Sequence, residues 1–517
     1  MKIKYNFHLA NIKKIFIIVG LALLLPQTQG HAQKANYGIS PPKIIEFLGD
    51  QPMTRVGRPF VVLATISNPA SFSIDAIITL ELPKGVSCND RTEYQIKLMP
   101  KKQASFRWTL YGTKPLYEEL LLKISNQGVV ITVGRLPIRF LPKIKKTDAN
   151  YIPEPLVPVK KNKNLLVGAH NCPLWEFNSY ERWSQLKKHP ERTPALGFYA
   201  QENPEVADWE TKWAVEHGVD FFIYCWYRIS QGRPVEHMFG SVLHEALFNS
   251  RFKDQIKFSI MWENQNKSRG GVADEKDLLT NLLPFWIENY FKRSNYLIVD
   301  NKPALFIYRP ENLIENLGSI ENVRRALEKM RHACRNEGFD GLWILGEYRG
   351  TDTEHLKLMK NLGLDYSFAY CWNIPNSPSP AEAIESQMDK LQRTQDIGMI
   401  PQVVTVSQGW SGWKDEGSIW KLPPLEFETL LRQGKAFVEK LPEDDLSGRM
   451  ILLDNWNEWG EGHYLLPHTE YGFGYLDAIR KVFTNAPENH IDLIPEDINM
   501  GPYENAYRKW LKEKRKE

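Results

Sequence analysis

From residue 163 onward the chain alternates between two hydrophobic periods, and this alternation limits the possible folds more than any other feature. Short apolar runs suited to strands buried on both faces recur eight times: LLVGAH (165–170), FFIYCWY (221–227), KFSIMWE (257–263), ALFIY (304–308), LWILGEY (342–348), YSFAYCW (366–372), PQVVTVS (401–407) and MILLDNW (450–456). Stretches of helical period separate them. In PEVADWETKWAVEHG, Val206, Trp209, Trp213 and Ala214 fall near one face and Gly218 supplies a C-cap. ENVRRALEKMRHACRNEG, PAEAIESQMDKLQRTQ and PLEFETLLRQGKAFVEKL read the same way. Eight strand–helix units over about 350 residues predict an α/β fold, a (β/α)8 TIM barrel, with a doubly wound open sheet as the rival.

The region before the barrel has a different grain. From Ile39 to Pro142, runs such as PFVVLATISN, SIDAIITLELP and QASFRWTLYG alternate apolar and polar residues between turns. They predict a small all-β, immunoglobulin-like sandwich of roughly a hundred residues. A segment rich in Lys and Pro follows and reads as a linker. At the start, Lys2, Lys4, Lys13 and Lys14 precede the apolar run IFIIVGLALLL, and Gly30 and Ala32 suit a cleavage site. The plan is therefore a signal peptide at 1–32, the sandwich at 36–143, the linker at 144–162 and the catalytic barrel at 163–517. The apolar run is about eleven residues, short of the roughly 20 that cross a bilayer, so the expectation is export to the periplasm or cell surface without a stable transmembrane anchor.

Charge and cysteine content narrow the function further. Removing the leader takes away four lysines and no acids, leaving 61 basic against 62 acidic residues of the original 65 and 62. Nothing in that balance calls for nucleic acid. The five cysteines, Cys88, Cys172, Cys225, Cys334 and Cys371, never form a CxxC pair and read as buried thiols, with one bridge among the strand-end members as the alternative. Aromatic residues make up 12% of the chain, with 16 Trp, which suits the apolar faces of sugar rings as well as a core.

A barrel of this kind carries its active site at the C-terminal strand ends. There the sequence places His170 and Asn171, Tyr224, Trp226 and Tyr227, Trp262, Glu263 and Asn264, Tyr308 and Arg309, Glu347, Tyr348 and Arg349, Tyr370, Trp372 and Asn373, Gln408 and Trp410, then Trp456, Asn457 and Glu458. Carboxylates, amides and aromatics together are what recognition of a saccharide requires. The candidate substrate-binding set is His170, Trp226, Tyr227, Trp262, Glu263, Asn264, Glu347, Tyr370, Trp372, Trp456, Asn457 and Tyr464. Within DNWNEWGEGHYLLP (454–467), Glu458 and Glu461 are the sharpest catalytic candidates. Just past a strand end, in a turn or a first helical turn, residues three apart can face the same way, and Gly460 and Gly462 permit the tight backbone. Two adjacent carboxyls do not ionise together easily, so one can act as acid and the other as base, as glycoside cleavage demands. No GxSxG or phosphate-cradling glycine loop occurs. A metal set of His170, Glu263 and Glu347 has no HxxE or HxH spacing behind it, so neither metal nor cofactor is expected.

DNWNEWGEGHYLLP, with GFYAQENPEVADWETKWAVEHGVDFFIYCWY, FSIMWENQN and YLIVDNKPALFIY, resembles the glycoside hydrolase family 99-like group over about residues 163 to 485. That group includes endo-α-mannosidases, endo-mannanases and WbsX-type domains described as glycosyltransferases. The resemblance implies that Glu458 and Glu461 are the catalytic pair of a retaining hydrolase: Glu458 would assist attack by the substrate's own 2-hydroxyl to form a 1,2-anhydro sugar, and Glu461 would protonate the leaving oxygen. Two positions depart from the pattern. Gly460 stands where endo-acting mannosidases tend to carry a bulkier residue, and Leu466 replaces a frequent glutamate, both expected to shape the substrate groove. The expected function is an exported glycosidase acting on an α-linked, α-mannosidic oligo- or polysaccharide. A WbsX-type glycosyltransferase and a non-catalytic carbohydrate-binding protein are the alternatives.

Overall fold

The computed structural model describes residues 41–176, 180–265, 270–411, 417–487 and 489–514. The expected signal peptide lies outside the described residues. The first region is built from two sheets around one core. One sheet runs in the order Lys43–Gly49, Pro59–Ser67, Gln103–Gly112, Val86–Cys88. The other runs Thr54–Arg55, Val129–Leu141, Leu116–Asn126, Ile74–Glu81, Glu93–Leu98. All pairings are antiparallel except that of the short Thr54–Arg55 with Phe140–Leu141. Strict alternation explains why these segments pair face to face: in Ile74–Glu81, Ile74, Ala76, Ile78 and Leu80 point inward while their neighbours meet solvent. They close on Val62, Ile66, Trp108, Leu122 and Ile138 from both sheets.

The second region is the barrel. Its strands are β1 (Leu166–Asn171), β2 (Phe221–Arg228), β3 (Lys257–Trp262), β4 (Lys302–Ile307), β5 (Trp343–Glu347), β6 (Tyr366–Phe368), β7 (Val404–Val406) and β8 (Met450–Leu453). Each pairs in parallel with its neighbour in the order β6-β5-β4-β3-β2-β1-β8-β7. Closure between β6 and β7 rests on a single bridge, in which the Ser367 N–H donates to the Pro401 carbonyl and the Val403 N–H to the Ser367 carbonyl, at 2.9 and 2.8 Å. A doubly wound sheet would have two open edges, so the rival topology is excluded. β6 and β8 are shorter than their apolar runs, and Tyr370, Trp372 and Trp456 therefore lie in the loops that follow them.

The helical periods resolve as α1 (Pro204–Glu216), α2 (Ile320–Asn336), α3 (Pro380–Ile397), α4 (Pro424–Val438) and α5 (Gly474–Phe483). Asn203 caps α1 by accepting from the Glu205 N–H, and Ser379 with Glu382 forms a capping box on α3. Gly218 follows α1 at φ +88°, a conformation open to glycine. Between Leu141 and Leu166 the chain is packed along the barrel: Ile152 is buried in its core, and Tyr151 donates to Asp208 at 2.6 Å. Arg55 joins the first region to the C-terminal segment through two 2.7 Å bonds from Nε and Nη2 to Asp497. Among the described residues no helix is long and apolar enough to cross a membrane.

Candidate functional site

The segment after β8 forms a hairpin rather than a helical turn. Asn457 pairs with Tyr464 and Glu458 with His463 in antiparallel register, with Trp459–Gly462 as the connection. Residues opposite one another in such a pair share a face, and successive residues alternate. Asn457, Trp459 and Tyr464 consequently go to the core side, where the Trp459 and Tyr464 rings meet at 4.6 Å, and Glu458 and His463 share the other. Gly462 adopts φ +74°, and a Cβ there would lie 2.3 Å from Ser411 Oγ, so only glycine fits. Arg192, itself buried, holds the turn from below: Nη1 donates to the Trp459 and Gly460 carbonyls and Nη2 to Ser411 Oγ at 2.6 Å.

Glu458 is 3% exposed, and its Oε1 has no hydrogen-bond partner. Burial, then the Glu461 charge, raise its carboxyl to about 7, against the opposing pull of His463 and the Cys172 thiol. Glu461 is the more open member, with 30% of its side chain exposed. A chain of polar groups reaches it from beneath: Asp454 Oδ1 lies 2.6 Å from His463 Nδ1, and His463 Nε2 lies 3.1 Å from Glu461 Oε2. Burial by itself would lower the His463 ring, but the charge and hydrogen bond of Asp454, followed by those of Glu461, lift it to about 10. These neighbours favour the doubly protonated ring, whose two N–H groups would donate to Asp454 and Glu461.

Around this pair the barrel mouth carries a second acidic group. Glu263 follows β3 and is raised to about 8 by burial, with Glu347 adding to the rise and Gln265, Cys225 and Arg349 opposing it. Glu347 ends β5 and is held by Arg309 at 3.2 Å and Arg349 at 2.5 Å. Arg349 also donates to the Tyr308 hydroxyl at 2.9 Å. Tyr370 accepts from Asn455 Nδ2 at 2.5 Å, and its ring edges onto His463 at 5.9 Å. His170 lies lower, stacked on Phe368 at 5.7 Å; burial pushes it down to about 3, leaving a neutral ring with both nitrogens unpartnered.

The expected binding set therefore divides. His170, Tyr227, Glu263, Glu347 and Tyr370 face the same interior as Glu458. Burial puts the Tyr227 hydroxyl well above its ordinary range, with the Glu263 charge next. Trp226, Trp262 and Trp372 do not face it. They lie on the opposite face of their strands or loops and fill the layer between sheet and helices: Trp226 donates to the Tyr290 hydroxyl at 2.9 Å, Trp262 to the Gly270 carbonyl at 2.6 Å and Trp372 to the Thr405 carbonyl at 2.8 Å. Trp456 packs on Phe222 at 5.0 Å, and Tyr464 is core as described. Asn264 braces a loop, bonding the Arg309 N–H and carbonyl at 2.8 and 2.7 Å, and Asn457 accepts from the Cys172 N–H at 2.6 Å. Leu466 is fully buried in the same core cluster as Trp456 and Trp459.

Three groups central to the arrangement were absent from the candidate set: Asp454, His463 and Arg349. Arg349 and Trp410, whose ring lies 5.3 Å from His463, both occur in the strand-end reading. Asp454 and His463 flank the two glutamates in the motif itself, but only the hairpin register reveals that they meet. All five cysteines are free thiols, four of them buried. His170, Glu263 and Glu347 do not gather as metal ligands among the described residues.

Residues 183–411 and 412–479 match a family model described as glycosyltransferase WbsX. The uncharacterized protein WxcX of Xanthomonas campestris pv. campestris is 24% identical over 335 residues, covering 59% of this chain and 45% of WxcX. The chain thus spans less than half the length of that relative. Among solved structures, a GH99 endo-alpha-mannosidase from Bacteroides thetaiotaomicron is 14% identical with a TM-score of 0.39, covering 67% of this chain and 98% of its own. The beta-glucuronidase 2 of Bacteroides uniformis is 8% identical with a TM-score of 0.34, covering 85% and 49%. The family match spans more than half of the chain, which therefore belongs to the WbsX glycosyltransferase family.

Proposed function

We propose that the protein is a glycoside hydrolase that cleaves an α-linked, α-mannosidic glycan with retention, using Glu458 and Glu461. The observation that carries this reading is Glu458 itself, a buried carboxyl raised to about 7 beside a second carboxylate at the C-terminal mouth of the barrel. A carboxyl so placed keeps its proton up to near neutral pH and is poised to exchange it there. A sugar 2-hydroxyl donating to Glu458 favours its ionised form and moves the proton to Glu461. Glu458 then takes the hydroxyl proton as O2 attacks the anomeric carbon. The glycosidic bond breaks, and its electron pair leaves with the departing oxygen, which receives the proton of Glu461. Water, deprotonated by Glu461, opens the 1,2-anhydro sugar while Glu458 returns its proton to O2. The His463 imidazolium compensates the charge that appears on Glu461 when it gives up its proton, and Asp454 keeps the ring charged and oriented.

Tyr227, Glu263, Glu347 and Tyr370 would bind the sugar hydroxyls, with Trp410 as the ring-stacking surface at the rim. We further propose that the enzyme acts outside the cytoplasm after removal of residues 1–32, with the immunoglobulin-like sandwich of 36–143 as an accessory to the barrel. Incubation with α-mannans and N-glycans, followed by NMR of the first-formed anomer, tests the reaction. Glu458→Gln and Glu461→Gln should each abolish cleavage while keeping binding, and an inverted product would overturn the mechanism. The family's description favours a second reading, transfer from an activated sugar donor to an acceptor glycan. Turnover of a nucleotide-sugar donor, with no cleavage of any glycan, would establish that reading instead.

A further inference from the structure

At the opposite end of the barrel from the two glutamates, where α1 leads into the start of β2, three ligand-type atoms converge. His217 Nε2 lies 3.1 Å from Asp492 Oδ1, and His490 Nε2 lies 2.9 Å from the same oxygen. The ligand atoms of the three residues lie within 4.8 Å of one another. Each of these atoms is buried, yet none has a partner with hydrogen-bond geometry. Two imidazole nitrogens converge on one carboxylate oxygen at ion-pair distance but outside good hydrogen-bond alignment, an arrangement that a shared cation would complete.

The geometry points to a structural site for a divalent transition metal ion, zinc being the best fit, held by His217, His490 and Asp492. The second bond of His217 supports it. Nδ1 lies 2.6 Å from the Trp213 carbonyl, an acceptor only, so Nδ1 keeps a proton and Nε2 is the nitrogen that would ligate. That outer bond is the usual device for orienting a ligating histidine. Donors about 2.0–2.1 Å from a tetrahedral ion stand roughly 3.4 Å apart; the 2.9 and 3.1 Å separations from Asp492 would open slightly, and all three atoms, within 4.8 Å of one another, lie in reach of one ion. Asp477 on α5, with an oxygen 3.9 Å from His217 Nε2 and a largely open side chain, can approach as a fourth donor. Two imidazoles with carboxylate favour zinc and its neighbours over magnesium or calcium, which prefer all-oxygen sites.

The ligands come from separate parts of the chain: the end of α1, α5, and the segment just before the short helical turn Pro495–Ile498. That last segment also receives Arg55, whose Nη2 donates to the Asp492 carbonyl at 2.5 Å. An ion here would fasten the segment that joins the first region to the barrel, far from the proposed chemistry. The competing arrangement is a carboxylate flanked by two histidines without metal.

The test uses the full chain, stripped with a chelator and dialysed, then titrated with zinc(II), with cobalt(II) as a spectroscopic probe and magnesium(II) as a control. One equivalent of zinc per chain, a raised Tm that magnesium does not reproduce, and the visible absorption of four-coordinate cobalt are expected. His490→Ala removes the more accessible ligand and should weaken zinc binding at least about tenfold. Asp477→Asn, on an open side chain, serves as a second variant should His490→Ala fail to fold, and is expected to alter the cobalt spectrum. Absence of stoichiometric zinc binding to the parent protein, or binding and spectra unchanged in the variants, would overturn the proposal.

Discussion

Replacing Glu458 by Gln should make the protein more stable as pH rises, even as it removes the proposed activity. The parent carboxyl titrates at about 7 in the fold against the usual 4.5, because it is buried beside Glu461. A raised carboxyl binds its proton more tightly folded than unfolded. Its favourable contribution is therefore complete below 4.5 and is lost as the pH passes through 7. The interval from 4.5 to about 7 corresponds to roughly 3 kcal/mol at 1.36 kcal/mol per pH unit. A glutamine of the same shape carries no charge to bury and does not pay this penalty. Chemical denaturation of parent and Glu458→Gln at about pH 4.5 and about pH 8.5 should give similar stabilities at the lower value and an advantage of about 3 kcal/mol for the variant at the higher. A difference independent of pH would refute the buried, proton-holding state of Glu458 and remove the main support for its catalytic role.

Other consequences follow from the hairpin and its surroundings. Asp454→Asn removes the larger support of the His463 charge, so the ring should titrate well below about 10, and activity measured against pH should acquire a new fall on the alkaline side that the parent lacks. Gly462→Ala forces a side chain into φ +74° and against Ser411, and should cost on the order of 1–3 kcal/mol in unfolding experiments. Tyr370→Phe should raise KM for a glycan substrate and also lower Tm modestly, because it leaves the buried Asn455 donor unpaired. Trp262→Phe should lower Tm with KM unchanged, because it packs on Trp286 behind the sheet.

Those contrasting expectations for Tyr370 and Trp262 mark the limit of what the chain discloses unaided. Eight apolar runs and the helices between them are legible because burial on both faces and the helical period each leave a signature within about ten to fifteen residues. Which side of the barrel wall a given aromatic faces leaves none. In FFIYCWY every residue is apolar or aromatic, and only the register with β3 and β1 sends Ile223, Cys225 and Tyr227 inward and Phe222, Tyr224 and Trp226 outward. A strand that alternates polar and apolar residues announces its faces; a strand buried on both sides does not. Of the five expected binding residues that lie in the core, Trp226 and Trp262 are cases of that ambiguity, whereas Trp372, Trp456 and Tyr464 follow the strands in loops and a hairpin, where the path of the chain decides the face.

The two glutamates escape the ambiguity for a physical reason. An aromatic ring is equally at home in a core or a sugar site, whereas an ionisable carboxyl is driven out of an apolar layer unless something pays for it. Glu458 is nearly fully buried with one oxygen unpartnered, and burial together with the Glu461 charge outweighs the pull of His463 and Arg182 on its carboxyl. Glu347, equally buried, is neutralised by Arg309 and Arg349. Glu461 is answered by a histidine that Asp454 holds charged. In the proposed reaction the acid whose proton burial favours is the one that exchanges it with a bound hydroxyl, and its neighbour beside His463 is the one whose charge the fold is prepared to accept. That division requires His463 opposite Glu458 across the hairpin, with the turn held by Arg192 and Gly462. Lengthening Trp459–Gly462 by one residue would break this register, uncoupling His463 from Glu461 while leaving all three side chains in place along the sequence. Such an insertion should lower the proposed activity as far as loss of His463 itself, and an insertion variant that kept full activity would show that the relay has no part in the chemistry.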